Sequence, residues 1–407
     1  MQMGLFCKGK LMPLDPNRLQ LIDGFLKSTY LDTGRLPGTL LRIQHKGEIV
    51  HESVQRFADV AAARPLKADT LFRIYSMTKP ITSIALMMLV EEGLIQIDDP
   101  VHRYIPGWKD LRVFQGGTLK TGWQTTAPKR PMLVIDLLRH TAGLTYGFQL
   151  NSNVDAAYRQ LGVGEIDKGD ITLERMIELL GQLPLEFSPG DWWNYSVATD
   201  VLGWLVQVVS GMPFEDFLAK RIFRPLGMVD TGFHVREGQG HRLATCYQPN
   251  PKGGLVVQDQ AENSSFLHPP SFISGGGGLI STADDYLRFT EALRTGAPRL
   301  VGRKTLELMV ANHLPGGKDL PQLSRSAFSE AAYDGVGFGL GFATTTGVHK
   351  TMVAGNNGDY FWGGAASTFF WTDPVEEMTV LFLTQLIPSS TWPVRRQLRS
   401  LVYSSVI

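Results

Sequence analysis

Ser76-Met77-Thr78-Lys79 places a hydroxyl and an amine within reach of each other. These residues follow a strand-like run at residues 71–75 and precede an apolar helical stretch. Residues three apart share one face of a helix, so the Lys79 amine can approach the Ser76 hydroxyl. Burial favours an uncharged, basic lysine, and the start of a helix favours a developing anion. The spacing therefore fits a nucleophile with its base, although a capping serine followed by a solvated lysine fits it too.

Two later segments can supply a second proton acceptor and an oxyanion donor, which the Ser76–Lys79 pair lacks. Tyr195 follows the turn-forming Ser188-Pro189-Gly190 and precedes an apolar helix, where it can act as a second proton acceptor. Trp362-Gly363-Gly364-Ala365 leads directly into a strand, and its glycines let a ligand approach the backbone closely. A backbone N–H in this segment can join that of Ser76 as an oxyanion donor. The alternatives are an aromatic packed at a helix start and an ordinary turn before a strand.

The two ends of the chain predict a sheet that would carry these residues. Residues 39–53 and 366–386 each predict two strands around a tight turn, at Lys46-Gly47 and Asp373-Pro374. Strands joined in this way pair antiparallel. Residues 16–30 and 392–407 have helical apolar spacing and should flank the sheet.

The middle of the chain is predicted to be mainly helical. The helical segments are residues 81–93, 131–140, 171–183, 195–211 and 213–223, and residues 115–131 predict a long surface loop. The expected fold class is therefore α+β. Residues 1–75 and 275–407 should form an antiparallel-sheet domain with terminal helices, residues 76–274 a mainly helical domain, and the cleft between them the active site.

Composition excludes several classes of function. The 407 residues have a formal net charge of zero and no basic run, which argues against nucleic-acid or membrane partners. Cys7 and Cys246 form no metal-ligand pattern or disulfide framework. No stretch reaches the length of a membrane span, and nothing apolar precedes Leu5-Phe6-Cys7, which otherwise suggests a lipoprotein signal. We expect a cytoplasmic protein without metal or cofactor, whose oligomeric state the sequence leaves open.

The three segments, in this order, resemble the serine β-lactamase and penicillin-binding-protein superfamily, and in particular the class C β-lactamase-like family VIII carboxylesterases. The resemblance extends from about residue 16 to 395. Further segments that carry it are "LVEEGLIQIDDPVHRYIP", "IDLLRHTAGLTY", "FSPGDWWNYSVATDVLG", "RPLGMVDTGF" and "SGGGGLISTADDYLRF".

The resemblance implies a role for each residue. Ser76 would be the nucleophile, and Lys79 with Tyr195 the base that activates it and returns the proton to the leaving group. The N–H of Ala365 would join that of Ser76 in the oxyanion hole. Trp362, Gly363 and Gly364 would form the third motif beside the substrate, and Tyr146 is a further candidate for the substrate pocket. The implied chemistry is covalent acyl transfer in two steps.

Two departures from the family pattern favour an esterase over a β-lactamase. β-Lactamases of this type carry Asn two residues after the tyrosine, where this chain has Val197, and Lys-Thr-Gly at the third motif, where it has Trp362-Gly363-Gly364. Lys120-Thr121-Gly122 spells the lactamase motif but lies too early in the chain. The expected enzyme is a serine carboxylesterase, and its expected substrate is a short-chain, neutral carboxylic ester. The alternatives are acyl transfer to an alcohol, weak β-lactamase or peptidase activity, and a non-catalytic binding protein.

Other hydrolytic chemistries fit the sequence less well. There is no G-x-S-x-G elbow and no H-E-x-x-H zinc motif. His140 resembles a triad base, but in "RHTAGL" the family resemblance implies a structural role beside the cleft. Gly275 to Gly278 precede the acidic residues Asp284 and Asp285, which would repel phosphate, so close backbone packing is expected there.

Overall fold

A computed structural model describes residues 14–165, 171–325 and 333–407. Cys7 and the short segment around it therefore lie outside the described residues. Among those described, no helix is both long and apolar enough to cross a membrane.

One antiparallel sheet carries the third motif and joins the two ends of the described chain. The strands of the described residues are β1 Gly38–His45, β2 Glu48–Asp59, β3 Arg64–Pro65, β4 Phe72–Arg73, β5 Val113–Thr118, β6 Gly122–Thr126, β7 Cys246–Pro249, β8 Leu255–Asp259, β9 Ile280–Ser281, β10 Val336–Phe338, β11 Ala343–Thr345, β12 Tyr360–Gly363, β13 Phe369–Asp373 and β14 Met378–Leu383. Within the described residues this sheet has eight strands in the order β10-β11-β12-β13-β14-β1-β2-β3. At its centre β1 pairs with β14, from Leu40 opposite Leu383 to His45 opposite Met378.

Helices lie on both faces of this sheet. They are α1 Pro16–Leu26, α2 Thr78–Glu91, α3 Val134–Leu138, α4 Asn153–Leu161, α5 Leu173–Leu180, α6 Ala198–Ser210, α7 Phe214–Leu218, α8 Arg224–Leu226, α9 Ala283–Thr295, α10 Arg303–Val310, α11 Leu320–Leu323, α12 Val348–Thr351 and α13 Val394–Tyr403. The expected α+β architecture, with terminal helices beside an antiparallel sheet, is confirmed.

Alternation along the strands separates two apolar layers. Leu41 and Phe382 face outward and pack with α1 and α13. Leu40, Leu381 and Leu383 face inward and join a large cluster that includes α2 and α6. Because that cluster continues from the sheet into the helical region, the two parts share one core, and the domain boundaries at residues 75/76 and 274/275 stay a prediction.

The prediction of a long surface loop over residues 115–131 is wrong. β5 and β6 form an antiparallel hairpin there, and Lys120-Thr121-Gly122 lies at its exposed turn. Across the hairpin, the rings of Phe114 and Trp123 meet edge to face with their centroids 5.8 Å apart. Cross-strand aromatic pairs of this kind stabilise short hairpins even when glycine and threonine dominate the sequence.

The outer layer provides a test of the fold. Leu398 of α13 is fully buried in the layer between the terminal helices and the sheet. Leu398→Ala should lower the free energy of unfolding by about 2–5 kcal/mol, because it leaves a cavity in that layer. Urea unfolding measures the change. Val375→Ala, at a side chain that is 62% exposed, is the control and should stay within about 0.5 kcal/mol of the parent. Equal effects of the two substitutions would contradict this packing.

Candidate active site

Ser76 lies on a tight turn just before a helix. Tyr75–Met77 form one turn of 3-10 helix, and α2 begins at Thr78, so the serine precedes the α-helix that it was expected to start. Tyr75 has a φ of 41°, a left-handed conformation that costs a residue with a side chain about 1–3 kcal/mol. Its ring packs edge to face on Phe266, which helps to hold the turn. The turn that presents the Ser76 hydroxyl is therefore conformationally strained at Tyr75.

Lys79 is buried against Ser76. Its Nζ lies 3.3 Å from Ser76 Oγ and donates a hydrogen bond of 2.6 Å to the carbonyl oxygen of Gly276. The same Nζ lies 4.5 Å from the centre of the Tyr195 ring and 5.3 Å from that of Tyr146. Burial lowers the pKa of Lys79 to about 7, against an opposing contribution from the Asp200 carboxylate. Near neutral pH, much of this lysine is therefore an uncharged amine with a lone pair available for a proton.

Tyr195 completes the group around the serine. Its hydroxyl donates a hydrogen bond of 2.6 Å to Ser76 Oγ, from a side chain that is 1% exposed. Burial raises the pKa of Tyr195, and the hydrogen bond to Ser76 only partly offsets this. Desolvation thus opposes the expectation that Tyr195 acts as a second proton acceptor. At neutral pH Tyr195 is a hydroxyl donor, and the amine of Lys79 is the group able to take a proton.

The third motif lies beside the serine turn. β11 pairs with β12 only as far as Phe361, so the β12 backbone at Trp362 and Gly363 is left unpaired on that side. Trp362 packs its ring 5.7 Å from that of Tyr195. Ala365 follows in an exposed turn. Outside the helices and strands of the described residues, the backbone N–H groups of Ser76 and Ala365 donate to no backbone carbonyl.

The glycines of this motif make room for packing. A Cβ at Gly363 would collide with the guanidinium of Arg395, and one at Gly364 with the carbonyl oxygen of Ile74. Arg395 also lies over the ring of Phe369, which belongs to the outer apolar layer. Since Trp362 belongs to the inner cluster, the cation of Arg395 lies on the opposite face of β12 from Ser76 and Tyr195.

Aromatic side chains enclose the Lys79–Tyr195 pair. Tyr146 and Trp193 pack against the Tyr195 ring at 5.2 and 6.2 Å, and Phe148, which is 56% exposed, stacks on Tyr146. Tyr146 is itself buried, and its ring contacts Tyr195 and the Lys79 amine.

His140 supports the site without reaching Ser76 through a hydrogen bond. Its ring packs 5.0 Å from that of Tyr195, its Nδ1 lies 3.2 Å from Ser196 Oγ, and its carbonyl accepts from the Asn194 N–H. Burial, followed by the charge of Lys79, lowers the pKa of His140 well below its usual range. A neutral imidazole in this position agrees with the structural role expected for it.

Sequence reasoning missed Asp200, and for Gly276 it predicted close backbone packing, which the structure shows, but not the contact with Lys79. Asp200 of α6 is fully buried, and its Oδ1 accepts hydrogen bonds from Ser274 Oγ at 2.5 Å and from the Gly276 N–H at 2.9 Å. Gly276 in turn holds Lys79 through its carbonyl oxygen. Asp200 is the acid in the mainly apolar stretch of residues 197–209, and this is a signal that could have identified it. A backbone carbonyl such as that of Gly276 leaves no such signal.

Comparison with known proteins points to an esterase. Esterase EstB of Burkholderia gladioli is 31% identical over 391 residues, which cover 91% of this chain and 91% of that protein. EstCE1, described as a hydrolase with promiscuous acyltransferase activity, has a structure that superposes with a TM-score of 0.78 at 27% identity, covering 95% of this chain and 98% of that one. Both likenesses support the predicted serine esterase.

More distant likenesses concern the fold and the family. Simvastatin synthase (LovD) from Aspergillus terreus superposes with a TM-score of 0.78 at 22% identity, over 97% of this chain and 98% of that one, and shares the fold. The family described as Beta-lactamase matches residues 20–403. The chain therefore belongs to the Beta-lactamase family, within which its relatives place it with the family VIII type of esterase.

Proposed function

We propose that this enzyme is a carboxylesterase that hydrolyses short-chain esters through an acyl-enzyme on Ser76. The observation that carries the proposal is the position of Ser76 Oγ, which is 2.6 Å from the Tyr195 hydroxyl and 3.3 Å from the Lys79 amine. The burial of Lys79 supports it, because the amine can then be neutral at the pH of the reaction.

In the first step, Ser76 Oγ attacks the ester carbonyl carbon while Lys79 takes the hydroxyl proton. The carbonyl oxygen gains negative charge, which the backbone N–H groups of Ser76 and Ala365 stabilise by hydrogen bonding. When the intermediate collapses, the alkoxide takes a proton from Tyr195, and the ammonium of Lys79 restores the tyrosine proton. An alcohol leaves, and the acyl group stays on Ser76.

In the second step, water attacks the acyl group, and Lys79 takes the proton through the Tyr195 hydroxyl, which receives the water proton as it passes its own to the amine. The proton then returns to Ser76 Oγ as that atom is expelled, which releases the carboxylic acid and regenerates the resting enzyme. Each group thus returns to its starting protonation state, so the cycle needs neither metal nor cofactor.

The surroundings of Ser76 support a neutral substrate. Trp362 presents an indole to the site, and Val197, fully buried at the start of α6, offers no hydrogen bond. The charge of Arg395 lies beyond β12, and Lys120-Thr121-Gly122 lies in an exposed turn. Trp362, Gly363 and Gly364 would border the ester and Tyr146 would hold the base in place. We also propose a cytoplasmic location, because a chain with only two cysteines is typical of a reducing compartment.

Acyl transfer to an alcohol is the second candidate. Rings of Tyr146, Trp193 and Trp362 surround Tyr195, and such apolar surroundings favour an alcohol over water as the group that attacks the acyl-enzyme. The acyltransferase activity stated for EstCE1 points the same way. Product analysis with p-nitrophenyl butyrate and added 1-butanol distinguishes the two, since transfer would yield butyl butyrate faster than butyric acid.

Removal of the nucleophile is the first test. Ser76→Ala should lower kcat/KM for p-nitrophenyl butyrate by at least about 1000-fold and abolish labelling by a fluorophosphonate, because no hydroxyl remains to attack. Ser83→Ala is the matched control: Ser83 is a buried serine of α2 whose Oγ has no hydrogen-bond partner among the described residues. Intact mass should show one adduct, mapped to Ser76. Normal turnover by Ser76→Ala would end the proposal.

The state of Lys79 predicts the pH profile. Since the pKa of Lys79 is lowered to about 7, the neutral amine predominates above that pH and is lost below it. Log kcat/KM should therefore rise with a slope near one up to about pH 7 and then level off, because the pKa of Tyr195 is raised and its hydroxyl stays protonated. A pH-stat assay with ethyl butyrate measures this directly. A flat profile between about pH 5.5 and 9, in an enzyme shown to stay folded, would contradict Lys79 as the base.

The third motif predicts substrate preference. The cephalosporin nitrocefin should be turned over with a kcat/KM about 10- to 150-fold below that for p-nitrophenyl butyrate. The reason is that the side chains on the site face of β12 offer no charge-assisted hydrogen bond to its carboxylate, an interaction worth about 1.5–3 kcal/mol. Comparable values for the two substrates would argue for a lactamase instead.

A further inference from the structure

Asp200 is an acid buried behind the base. It belongs to the first turn of α6 and is 1% exposed within the apolar core. An isolated carboxylate in such a place costs several kcal/mol unless hydrogen bonds or an opposite charge compensate it. Here the hydroxyl of Ser274 and the N–H of Gly276 both donate to Oδ1. The ammonium form of Lys79, which is buried nearby, is the opposite charge. The free-energy cost of burying this carboxylate suggests that it has a role in the active site.

Gly276 links this acid to the base. Its N–H donates to Asp200 and its carbonyl oxygen accepts from Lys79 Nζ, so the conformation of one residue sets where the amine is held. A Cβ at this position would press on the Asp200 carboxylate and on the Tyr146 hydroxyl, and only glycine fits the space. Asp200 thus fixes Gly276, and Gly276 fixes the lysine beside Ser76.

Asp200 also supplies the negative charge that Lys79 experiences. The titratable groups facing the amine are Asp200 from α6, Tyr195 before α6, His140 after α3 and Tyr146 from the loop that follows. Burial raises the pKa of both tyrosines and lowers that of His140, so all three are neutral near pH 7. Burial also raises the pKa of Asp200, while Lys79 and the hydrogen bonds from Ser274 and Gly276 oppose this rise. Among the described residues around the amine, the ionised form of Asp200 is the anion that opposes loss of the lysine proton.

We propose that Asp200 is a positioning residue of this esterase: through Gly276 it holds Lys79 against Ser76, and its charge sets the lower pH limit of activity. This inference rests on the proposed role of Lys79 as the base. Asp200 touches neither the substrate nor the reacting atoms and acts only through the lysine. Without its charge, the amine would lose its proton at lower pH, which would extend activity into acid.

Asp200→Asn tests the electrostatic part with little change in shape. The amide oxygen still accepts from Ser274 and Gly276, while the charge is removed. The pH profiles of kcat/KM for ethyl butyrate and of the rate of fluorophosphonate labelling at Ser76 should both keep their form. Their acid limbs should move down by about one pH unit. A purely structural role would lower the plateau and leave the limb where it was, and acid limbs that coincide with the parent would overturn the proposal.

Two further variants complete the experiment. Asp285→Asn is the matched control, since Asp285 is also buried and accepts from a backbone N–H and a hydroxyl, those of Asp230 and Thr231. Its acid limb should match the parent, and an equal shift in this control would overturn the proposal.

Ser274→Ala covers the case in which Asp200→Asn fails to fold. It removes one donor from the carboxylate, which favours protonation of Asp200, so the limb should move the same way by a smaller amount. An unmoved limb in Ser274→Ala would count against the proposal. Failure of the proposed function itself looks different, because the parent enzyme would then carry no label on Ser76.

Discussion

The site depends on keeping a lysine amine away from water. A charged ammonium buried without a full set of partners is costly, so burial favours the neutral form. Among the described residues, Lys79 Nζ donates to the Gly276 carbonyl and to Ser76 Oγ and lies near the Tyr195 and Tyr146 rings. These contacts orient the amine toward Ser76 while leaving it easy to deprotonate. The core between the sheet and α2 thus sets the reactivity of the base as well as the stability of the fold.

The same core explains why Tyr195 acts as a donor. Desolvation affects an acid and an amine in opposite senses, raising the pKa of the tyrosine and lowering that of the lysine. The two groups around Ser76 therefore differ in role although they share one environment. A single apolar enclosure produces a proton acceptor and a proton donor on two sides of one hydroxyl, which is what an acyl transfer with a returning proton requires.

Much of the site could be predicted from the sequence, and the parts that could not be predicted have physical reasons. Ser76, Lys79 and Tyr195 stand in a recognisable order, and the structure brings their polar atoms together. Gly276 acts through its backbone, whose position no residue type reveals, and Asp200 matters only because folding places it behind that glycine. The four strands predicted at the two ends of the chain, β1, β2, β13 and β14, followed from strand-like runs on either side of tight turns. The hairpin of β5 and β6 did not, because its glycine and threonine content is typical of loops and its cross-strand aromatic contact depends on register.

The route of the chain through the sheet bears on when activity can appear. β1 pairs with β14, and the third motif on β12 packs against a turn made almost three hundred residues earlier. A ribosome therefore finishes the serine, the lysine and the tyrosine long before the strand that completes their surroundings. Contacts so distant in sequence form slowly, and until they form, water reaches the amine and keeps it protonated. Catalytic turnover would then require the complete sheet, and partly synthesised or partly folded chains would be inactive.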